Sequence, residues 1–251
     1  MTPFRTIKPS FINRLLRKKL ILVGSRTNLS DIESAARVCG YKIIGILDKH
    51  YWGNTKEICG IPVIGSEEEL LDPKSKWRKY NFFPANWWDG KQKIGDQTFD
   101  GDQLRQERLD LLDRSGVRVV NLIMDPYVAW LHFQKNLTLG KGLLILAGCR
   151  IGANVSIGDY SVLDWGVKIV ESSIGRNTII GSESTLAHVE AGDNVRVGVN
   201  SLLLPTRNNK ILKVGNNAII YITSVVLDSV PEDHVYTMHG KMRKRFKKSI
   251  E

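Results

Sequence analysis

An aliphatic residue recurs at every sixth position between Leu139 and Val226. The series shortens by one residue twice and resumes after a longer interruption, and glycine often follows the aliphatic residue. A period of six fits neither an amphipathic helix nor a simple hairpin sheet, and it is typical of a parallel β-helix built from hexapeptides. Three hexads form one triangular coil, so the series predicts about five coils with their aliphatic side chains pointing inward.

The irregularities of the repeat fall on one edge of the predicted prism. The two shortened hexads end at Ser173 and Glu190, which are 17 residues and therefore one coil apart. The excursion over residues 204–213 starts from the same edge on the next coil. Because local regularity is broken most often at functional sites, we predict that this edge carries the site.

Two ionisable side chains lie on this edge. Glu171 follows Ile169 by two residues and His188 follows Leu186 by two, so they are expected to stack on adjacent coils, about 4.8 Å apart. A carboxylate at that distance can orient an imidazole and stabilise its protonated form. We therefore predict that His188 is a general base and Glu171 its orienting partner, with Glu190 in reserve. The alternative is that His188 only lines a groove.

The first half of the chain alternates buried strands with helices, which is typical of a small Rossmann-like βαβ domain with a parallel sheet. Asp48 follows the second strand, where such domains contact a ribose. The loop after the first strand has a single glycine, Gly24, and either holds a phosphate through Arg26 or the next helix, or is a plain turn. Strands are predicted at 20–25, 41–48, 61–65, 79–85 and 117–123, helices at 30–40, 67–71 and 102–115, and a surface loop at 86–102.

Basic residues are concentrated at the two ends of the chain. The formal net charge is +10, and residues 1–19 and 241–251 each hold six basic side chains, opposed only by Glu251. The formal charges of the two ends sum to +11, which leaves a formal charge of −1 for the residues between them. Basic arms on a neutral body argue against a nucleic-acid-binding fold, and they fit a phosphorylated cofactor, a weak membrane-surface contact or no specific partner. A short helix predicted at residues 10–19 either packs on its own domain or makes that contact.

The amino-acid composition limits the class of protein to which the chain can belong. The chain of 251 residues is 42% hydrophobic and 25% charged, as soluble globular proteins are, and it has no apolar run of about 18 residues. Its three scattered cysteines have no metal-ligand spacing, so we expect reduced thiols, a cytoplasmic location and no metal. The predicted divisions are a basic arm (1–18), the Rossmann-like domain (19–124), the β-helix (125–230) and a basic tail (231–251), helical or frayed.

The domain order and the segments at 40–48, 60–66, 116–123 and 197–205 resemble sugar acetyltransferases with an N-terminal nucleotide-sugar domain. These are the bacillosamine, perosamine and sialic-acid O-acetyltransferase type. The resemblance covers about residues 19–245 and implies a left-handed β-helix, a homotrimer, and acetyl-CoA bound between neighbouring β-helices. It also implies acetylation of a nucleotide-linked amino sugar for glycan assembly.

The resemblance assigns further roles to residues of this chain. Its usual catalytic histidine is replaced by Glu171, and the histidine expected after Ile123 is Met124. A second function therefore stays open: a relative without catalysis that binds a sugar nucleotide or serves as a scaffold. The resemblance implies that Gly198, Gly215 and Lys244 contact the cofactor, and that Gly24, Ser25, Arg26, Asp48 and Asn86 hold the nucleotide-linked sugar.

Overall fold

The computed structural model describes residues 17–26, 29–86, 91–94, 97–124, 136–206 and 210–245. The chain forms two compact units, which divide between Arg118 and Val119. The first is an α/β unit and the second is a β-helix.

The α/β unit contains a five-stranded sheet. Its strands are β1 (Lys18–Arg26), β2 (Tyr41–Leu47), β3 (Glu57–Ile58), β4 (Ile61–Gly65) and β5 (Asn81–Asn86). Their spatial order is β3-β4-β2-β1-β5, and every neighbouring pair is parallel except β3 with β4. The interior strand β1 is fully buried from Leu20 to Val23, because a continuous apolar run suits a parallel strand that is covered on both faces.

Helices and a hairpin complete this unit. They are α1 (Leu29–Val38), a 3-10 helix (Glu67–Leu71), the hairpin β6 (Lys91–Ile94) and β7 (Gln97–Asp100), and α2 (Gly101–Ser115). Asp100 caps α2 by accepting from the N–H groups of Asp102 and Gln103, and Gly116, with φ 63°, ends it. No helix in the described ranges is long and apolar enough to cross a membrane.

The β-helix consists of three sheets, whose strands are parallel except for β25 at the end of the first. The first contains β8 (Leu122–Ile123), β10 (Leu144–Ile145), β13 (Val162–Leu163), β16 (Ile179–Ile180), β19 (Arg196–Val197), β22 (Ile219–Ile220), β24 (His234–Tyr236) and β25 (Met242–Lys244). The second contains β11 (Arg150–Ile151), β14 (Lys168–Val170), β17 (Thr185–Ala187), β20 (Leu202–Leu203) and β23 (Val225–Val226). The third contains β9 (Leu137–Leu139), β12 (Val155–Ile157), β15 (Ser173–Ile174), β18 (Val189–Ala191) and β21 (Leu212–Val214).

Each coil passes through the third, the first and then the second sheet. Within the described residues this gives five complete coils, as the period of six predicts. The recurring aliphatic side chains form one continuous buried core, which includes Ile145, Ile151 and Ile157. Stacking therefore satisfies the backbone between coils while each coil contributes its aliphatic residues to the axis.

Four predictions about local structure need correction. Of the strand predicted at 117–123, only β8 forms, and it belongs to the β-helix. The tail does not leave the β-helix: β24 pairs with β22 in parallel and β25 folds back on β24. The loop predicted at 86–102 contains the β6–β7 hairpin. Lys18 and Lys19 begin β1 rather than ending a helix, and the rest of the predicted helix at 10–19 lies outside the described residues.

Candidate active site

Corner residues with positive φ form ladders along the edges of the β-helix. On the edge between the third and first sheets, here called the amide edge, Tyr160 has φ 61°, and the next three coils have Asn177, Asn194 and Asn217, with φ 53°, 57° and 58°. Asn177 Nδ2 donates to Asn194 Oδ1 at 2.8 Å, and Asn194 Nδ2 donates to Asn217 Oδ1 at 3.3 Å. Asparagine tolerates the left-handed conformation better than most side chains, so this edge meets the needs of the fold itself.

The edge between the second and third sheets, here called the site edge, begins in the same way and then changes. Asn136 and Asn154 have φ 71° and 55°, and Asn136 Nδ2 donates to Asn154 Oδ1 at 2.8 Å. In the next two coils the equivalent corner residues are Glu171, with φ 46°, and His188, with φ 55°. Non-glycine residues in this conformation cost on the order of 1 kcal/mol or more, which a functional role can justify.

Glu171 and His188 contact each other across adjacent coils. His188 Nδ1 lies 3.0 Å from Glu171 Oε2, and the two side chains are 50% and 48% exposed. Backbone hydrogen bonds fix both corners, since the His188 N–H donates to Val170 O and the Glu171 N–H donates to Ala153 O. With the Nδ1 proton donated to the carboxylate, the Nε2 lone pair is left to accept a proton. This is the geometry that a general base and its orienting carboxylate require.

Glu190 lies beside this pair on the outer face of the third sheet. The strand register places it between Ser173 and Lys213, and its Oε2 is 3.8 Å from Lys213 Nζ. Glu171, Ser156, Ser173 and Glu190 line a shallow groove of about 490 Å³.

The long interruption of the hexad repeat also begins and ends at this edge. The chain leaves β20 after Leu203 and re-enters the coil at β21, where the Leu212 N–H donates to His188 O at 2.9 Å. The two shortened corners and the excursion therefore all lie on the site edge, as the spacing of the hexads predicts.

Gly198 and Gly215 have a structural reason to be glycine, and their contact with the cofactor stays a prediction. A Cβ on Gly198 would lie 2.5 Å from the Ile222 nitrogen, and one on Gly215 would lie 2.3 Å from the Glu232 nitrogen. The backbone that approaches these glycines belongs to the next turn of the chain. Neither glycine is on the site edge, since one follows the first sheet and the other follows the third. Lys244 is exposed in β25, and its contact with CoA phosphates stays a prediction.

Four of the predicted nucleotide-sugar residues meet at the carboxyl edge of the α/β sheet. After β1, strands β2 and β4 are added on one side of it and β5 is added on the other. The strand order therefore reverses between β1 and β5, which is a topological switch point. Ligands of open α/β sheets bind at such a point, outside the carboxyl ends of the strands. Gly24, Ser25 and Arg26 end β1, and Asn86 ends β5, with Arg26 and Asn86 opposite each other in register. Gly24 has φ +85°, which favours glycine.

Asp48 has an internal role instead of the predicted contact with a ribose. Its side chain is 1% exposed, and Oδ1 lies 2.8 Å from Arg108 Nη2. Oδ2 accepts from the Ser25 hydroxyl at 2.6 Å, and Oδ1 accepts from the His50 N–H at 3.1 Å. Arg108 Nε also donates to Glu67 Oε1 at 3.2 Å. No exposed oxygen is left for a ribose, so Asp48 anchors the end of β1 to α2.

Arg108 is the residue that sequence reasoning missed. It shares one face of α2 with the buried Leu104 and Leu112, at spacings of four residues. The sequence does contain a signal for it: an arginine in the middle of an apolar helical stripe is expected to be buried, and buried charges are almost always paired.

Burial first, and the Arg108 guanidinium second, lower the pKa of His50, so this imidazole is neutral near pH 7. Within the described part of the chain, no three His, Cys, Asp or Glu side chains are grouped to hold a metal.

No protein-family model and no curated protein matches the sequence, but solved structures match the fold. The perosamine N-acetyltransferase PerB from Caulobacter crescentus, in complex with CoA and GDP-perosamine, is 22% identical with a TM-score of 0.67, over 90% of this chain and 97% of that chain. The chain has the fold of PerB. The acetyltransferase domain of PglB from Neisseria gonorrhoeae FA1090, in complex with acetyl coenzyme A, is 16% identical with a TM-score of 0.66, over 88% and 96% of the two chains. WeeI from Acinetobacter baumannii AYE is 15% identical with a TM-score of 0.64, over 90% and 100%. The predicted architecture, an α/β domain followed by a left-handed β-helix, is confirmed.

Proposed function

We propose that the protein transfers an acetyl group from acetyl-CoA to a nucleotide-linked amino sugar for glycan assembly. The observation that carries this proposal is the contact of His188 Nδ1 with Glu171 Oε2 at 3.0 Å, on the edge where the repeat is irregular. The fold supports it, because PerB binds CoA and GDP-perosamine on the same architecture and the PglB domain binds acetyl coenzyme A.

In this proposal His188 is the general base and Glu171 its orienting partner. His188 Nε2 takes the proton of the acceptor amine or hydroxyl as that group attacks the thioester carbonyl carbon. A backbone N–H of the coil edge stabilises the oxyanion, and Glu171 stabilises the imidazolium. When the intermediate collapses, the carbon–sulfur bond breaks and the imidazolium returns its proton to the CoA sulfur. Glu190, which lines the shallow groove, is a second candidate for the catalytic carboxylate.

The crevice between the carboxyl ends of β1 and β5 is the proposed site for the nucleotide. Gly24, Ser25, Arg26 and Asn86, which lie at these strand ends, are the residues proposed to hold it. Lys244 on the exposed hairpin is a candidate partner for CoA phosphates.

A homotrimer is part of the proposal. The His188–Glu171 pair is half exposed in one chain, whereas acyl transfer needs a site that excludes water. The same chain exposes an apolar strip at the end of the second sheet, formed by Ile222 (47%), Val225 (53%) and Leu227 (43%). Exposed apolar strips of this kind mark contacts between proteins. A molar mass of three chains in light scattering would support the trimer, and a monomer at assay concentration would contradict it.

Thermal unfolding with saturating acetyl-CoA, with ATP and heparin as polyanion controls, tests the cofactor. A ligand at 100 times its dissociation constant adds about 2.7 kcal/mol, which raises Tm by a few degrees for a chain of this size. A shift specific to acetyl-CoA supports the proposal. No shift, or equal shifts with all three polyanions, contradicts it and favours the non-catalytic relative.

The acceptor is then identified by the release of free CoA thiol from acetyl-CoA in the presence of individual sugar nucleotides. Amino and hydroxyl acceptors are compared at equal concentration. Binding of a sugar nucleotide without any thiol release would establish the second function, a sugar-nucleotide-binding or scaffold protein.

A further inference from the structure

The amino-terminal edge of the α/β sheet carries a patch of basic and aromatic side chains. This amino-edge patch consists of residues 17–19, at the start of β1, and residues 72–80, which lead into β5. The two segments hold seven basic residues and one acidic residue. They are adjacent, since Asn81 Nδ2 at the start of β5 donates to Lys19 O at 3.0 Å. The net charge of the patch is therefore concentrated on one edge of a single sheet.

Three lysines of this patch lie over aromatic rings. Lys76 Nζ lies 4.5 Å from the centroid of the Trp77 ring. Lys19 Nζ and Lys79 Nζ lie 5.8 Å and 5.3 Å from the centroid of the Tyr80 ring. Lys19, Lys76 and Lys79 are exposed, whereas Trp77 and Tyr80 are partly buried. The edge thus presents three exposed ammonium groups within cation–π distance of two partly buried rings.

We infer that the amino-edge patch binds an anionic membrane surface, that is, a layer of phospholipid headgroups with net negative charge. Clustered lysines near such a surface contribute about 1 kcal/mol each, and Trp and Tyr favour the interface between headgroups and acyl chains. Nucleic acid fits this patch less well. Single-strand binding uses open ring faces for stacking, and here lysines lie over the faces of Trp77 and Tyr80.

The position of the patch suits a docking surface. In a parallel sheet the amino and carboxyl ends of the strands lie on opposite edges, so five to six residues of strand, about 15–20 Å, separate the patch from Gly24 and Asn86. A bound membrane surface would leave the proposed nucleotide crevice open. The chain also enters the fold at this edge, and the preceding sequence adds Arg5, Lys8 and Arg14.

Vesicle co-sedimentation of the full chain tests this inference. One vesicle type contains phosphatidylglycerol and phosphatidylcholine in equal parts, and the other contains phosphatidylcholine alone. We expect binding to the first only, and a loss of about 30-fold in the partition coefficient for the Lys76→Gln/Lys79→Gln double variant. The matched control is Lys141→Gln/Lys213→Gln, which removes the same charge from exposed positions of the β-helix, one of them also beside a tyrosine ring. The control should bind like the wild type.

Three outcomes would overturn the inference. The first is no binding to the phosphatidylglycerol vesicles. The second is an equal loss in the test and control variants, which would indicate a response to net charge alone. The third is release of the protein from vesicles by a short DNA duplex at a phosphate concentration equal to that of the lipid, which would assign the patch to nucleic acid. Unchanged Tm values for both double variants establish that the comparison is made on folded proteins.

Discussion

The amide edge and the site edge have the same backbone conformation but carry different side chains. On the amide edge, three successive coils use asparagine at the corner with positive φ, and the amides hydrogen-bond along the axis. On the site edge the first two corners also have asparagine, and the next two have Glu171 and His188. The backbone requirement is the same in both places, so it does not explain the exchange of amides for ionisable groups.

This difference separates what the fold needs from what the proposed chemistry needs. Positive φ by itself does not mark a site, since Glu183 on the remaining edge has φ 59° and simply pairs with Lys168 at 3.1 Å. The site edge is distinguished by three features together: shortened corners, a returning excursion, and a histidine in contact with a carboxylate. Substitutions that convert one edge into the other test this distinction.

The largest expected effect is that of His188→Asn, which gives the site edge the residue of the amide edge. We expect acetyl transfer to fall by about 10²–10⁴-fold, the usual contribution of a general base. Tm should not fall, because asparagine also tolerates positive φ. CoA thiol release and thermal unfolding measure the two quantities on the same sample. Full turnover by the folded variant would remove His188 from the mechanism.

The next effect is structural and belongs to the amide edge. Asn194→Ala removes two amide hydrogen bonds and puts a less suitable residue at φ 57°, so we expect a loss of about 1–3 kcal/mol in the free energy of unfolding. Asn194→Gly accepts the same φ and lacks only the hydrogen bonds, so it should lose less. Urea unfolding measures both variants. An alanine variant as stable as the wild type would mean that the amide ladder does not stabilise the β-helix.

A smaller effect is expected for Glu171→Gln. The amide oxygen can still accept from His188 Nδ1, but the charge that stabilises the imidazolium is gone, so kcat should fall about tenfold. The control is Glu183→Gln, which makes the same chemical change at another corner with positive φ. Initial rates at saturating substrate measure both. Equal losses in the two variants would show that a corner carboxylate matters for structure and not for the proposed chemistry.

The smallest effect is a gain. The double variant Glu171→Asn/His188→Asn extends the amide ladder of the site edge, and we expect it to raise the free energy of unfolding by about 0.5–1 kcal/mol while transfer is lost. Urea midpoints against the wild type measure the gain. A double variant that is less stable than the wild type would contradict the idea that the site edge gives up stability for chemistry.

Much of the β-helix could be predicted because its repeat is local and strictly periodic. A coil of 17 residues fixes which residues stack, so the contact of Glu171 with His188 follows from counting. The returning excursion could be placed on the same edge for the same reason. These predictions needed only the phase of the hexads and the spacing of parallel strands.

The predictions that failed depend on contacts between distant parts of the chain. Asp48 is at the expected place in the sheet, but its partner Arg108 lies 60 residues later on α2, and burial of that pair changes its role. The backbone that lies against Gly198 and Gly215 comes 24 and 17 residues later in the chain, so their structural reason to be glycine also depends on a distant contact, while their cofactor contact stays a prediction. The last hairpin, β24–β25, lies after the end of the hexad series and has no periodic signal.

The corner ladders also place equivalent positions at regular intervals along the axis of the β-helix. Corner positions such as Asn154, Glu171 and His188 share a backbone conformation and differ in height by one coil, about 4.8 Å. A base can therefore be moved along the axis by exchanging side chains between neighbouring corners, without any change in the chain path. In a scaffold of this kind, the length of acceptor that an enzyme reaches could be redesigned in fixed increments, one corner at a time.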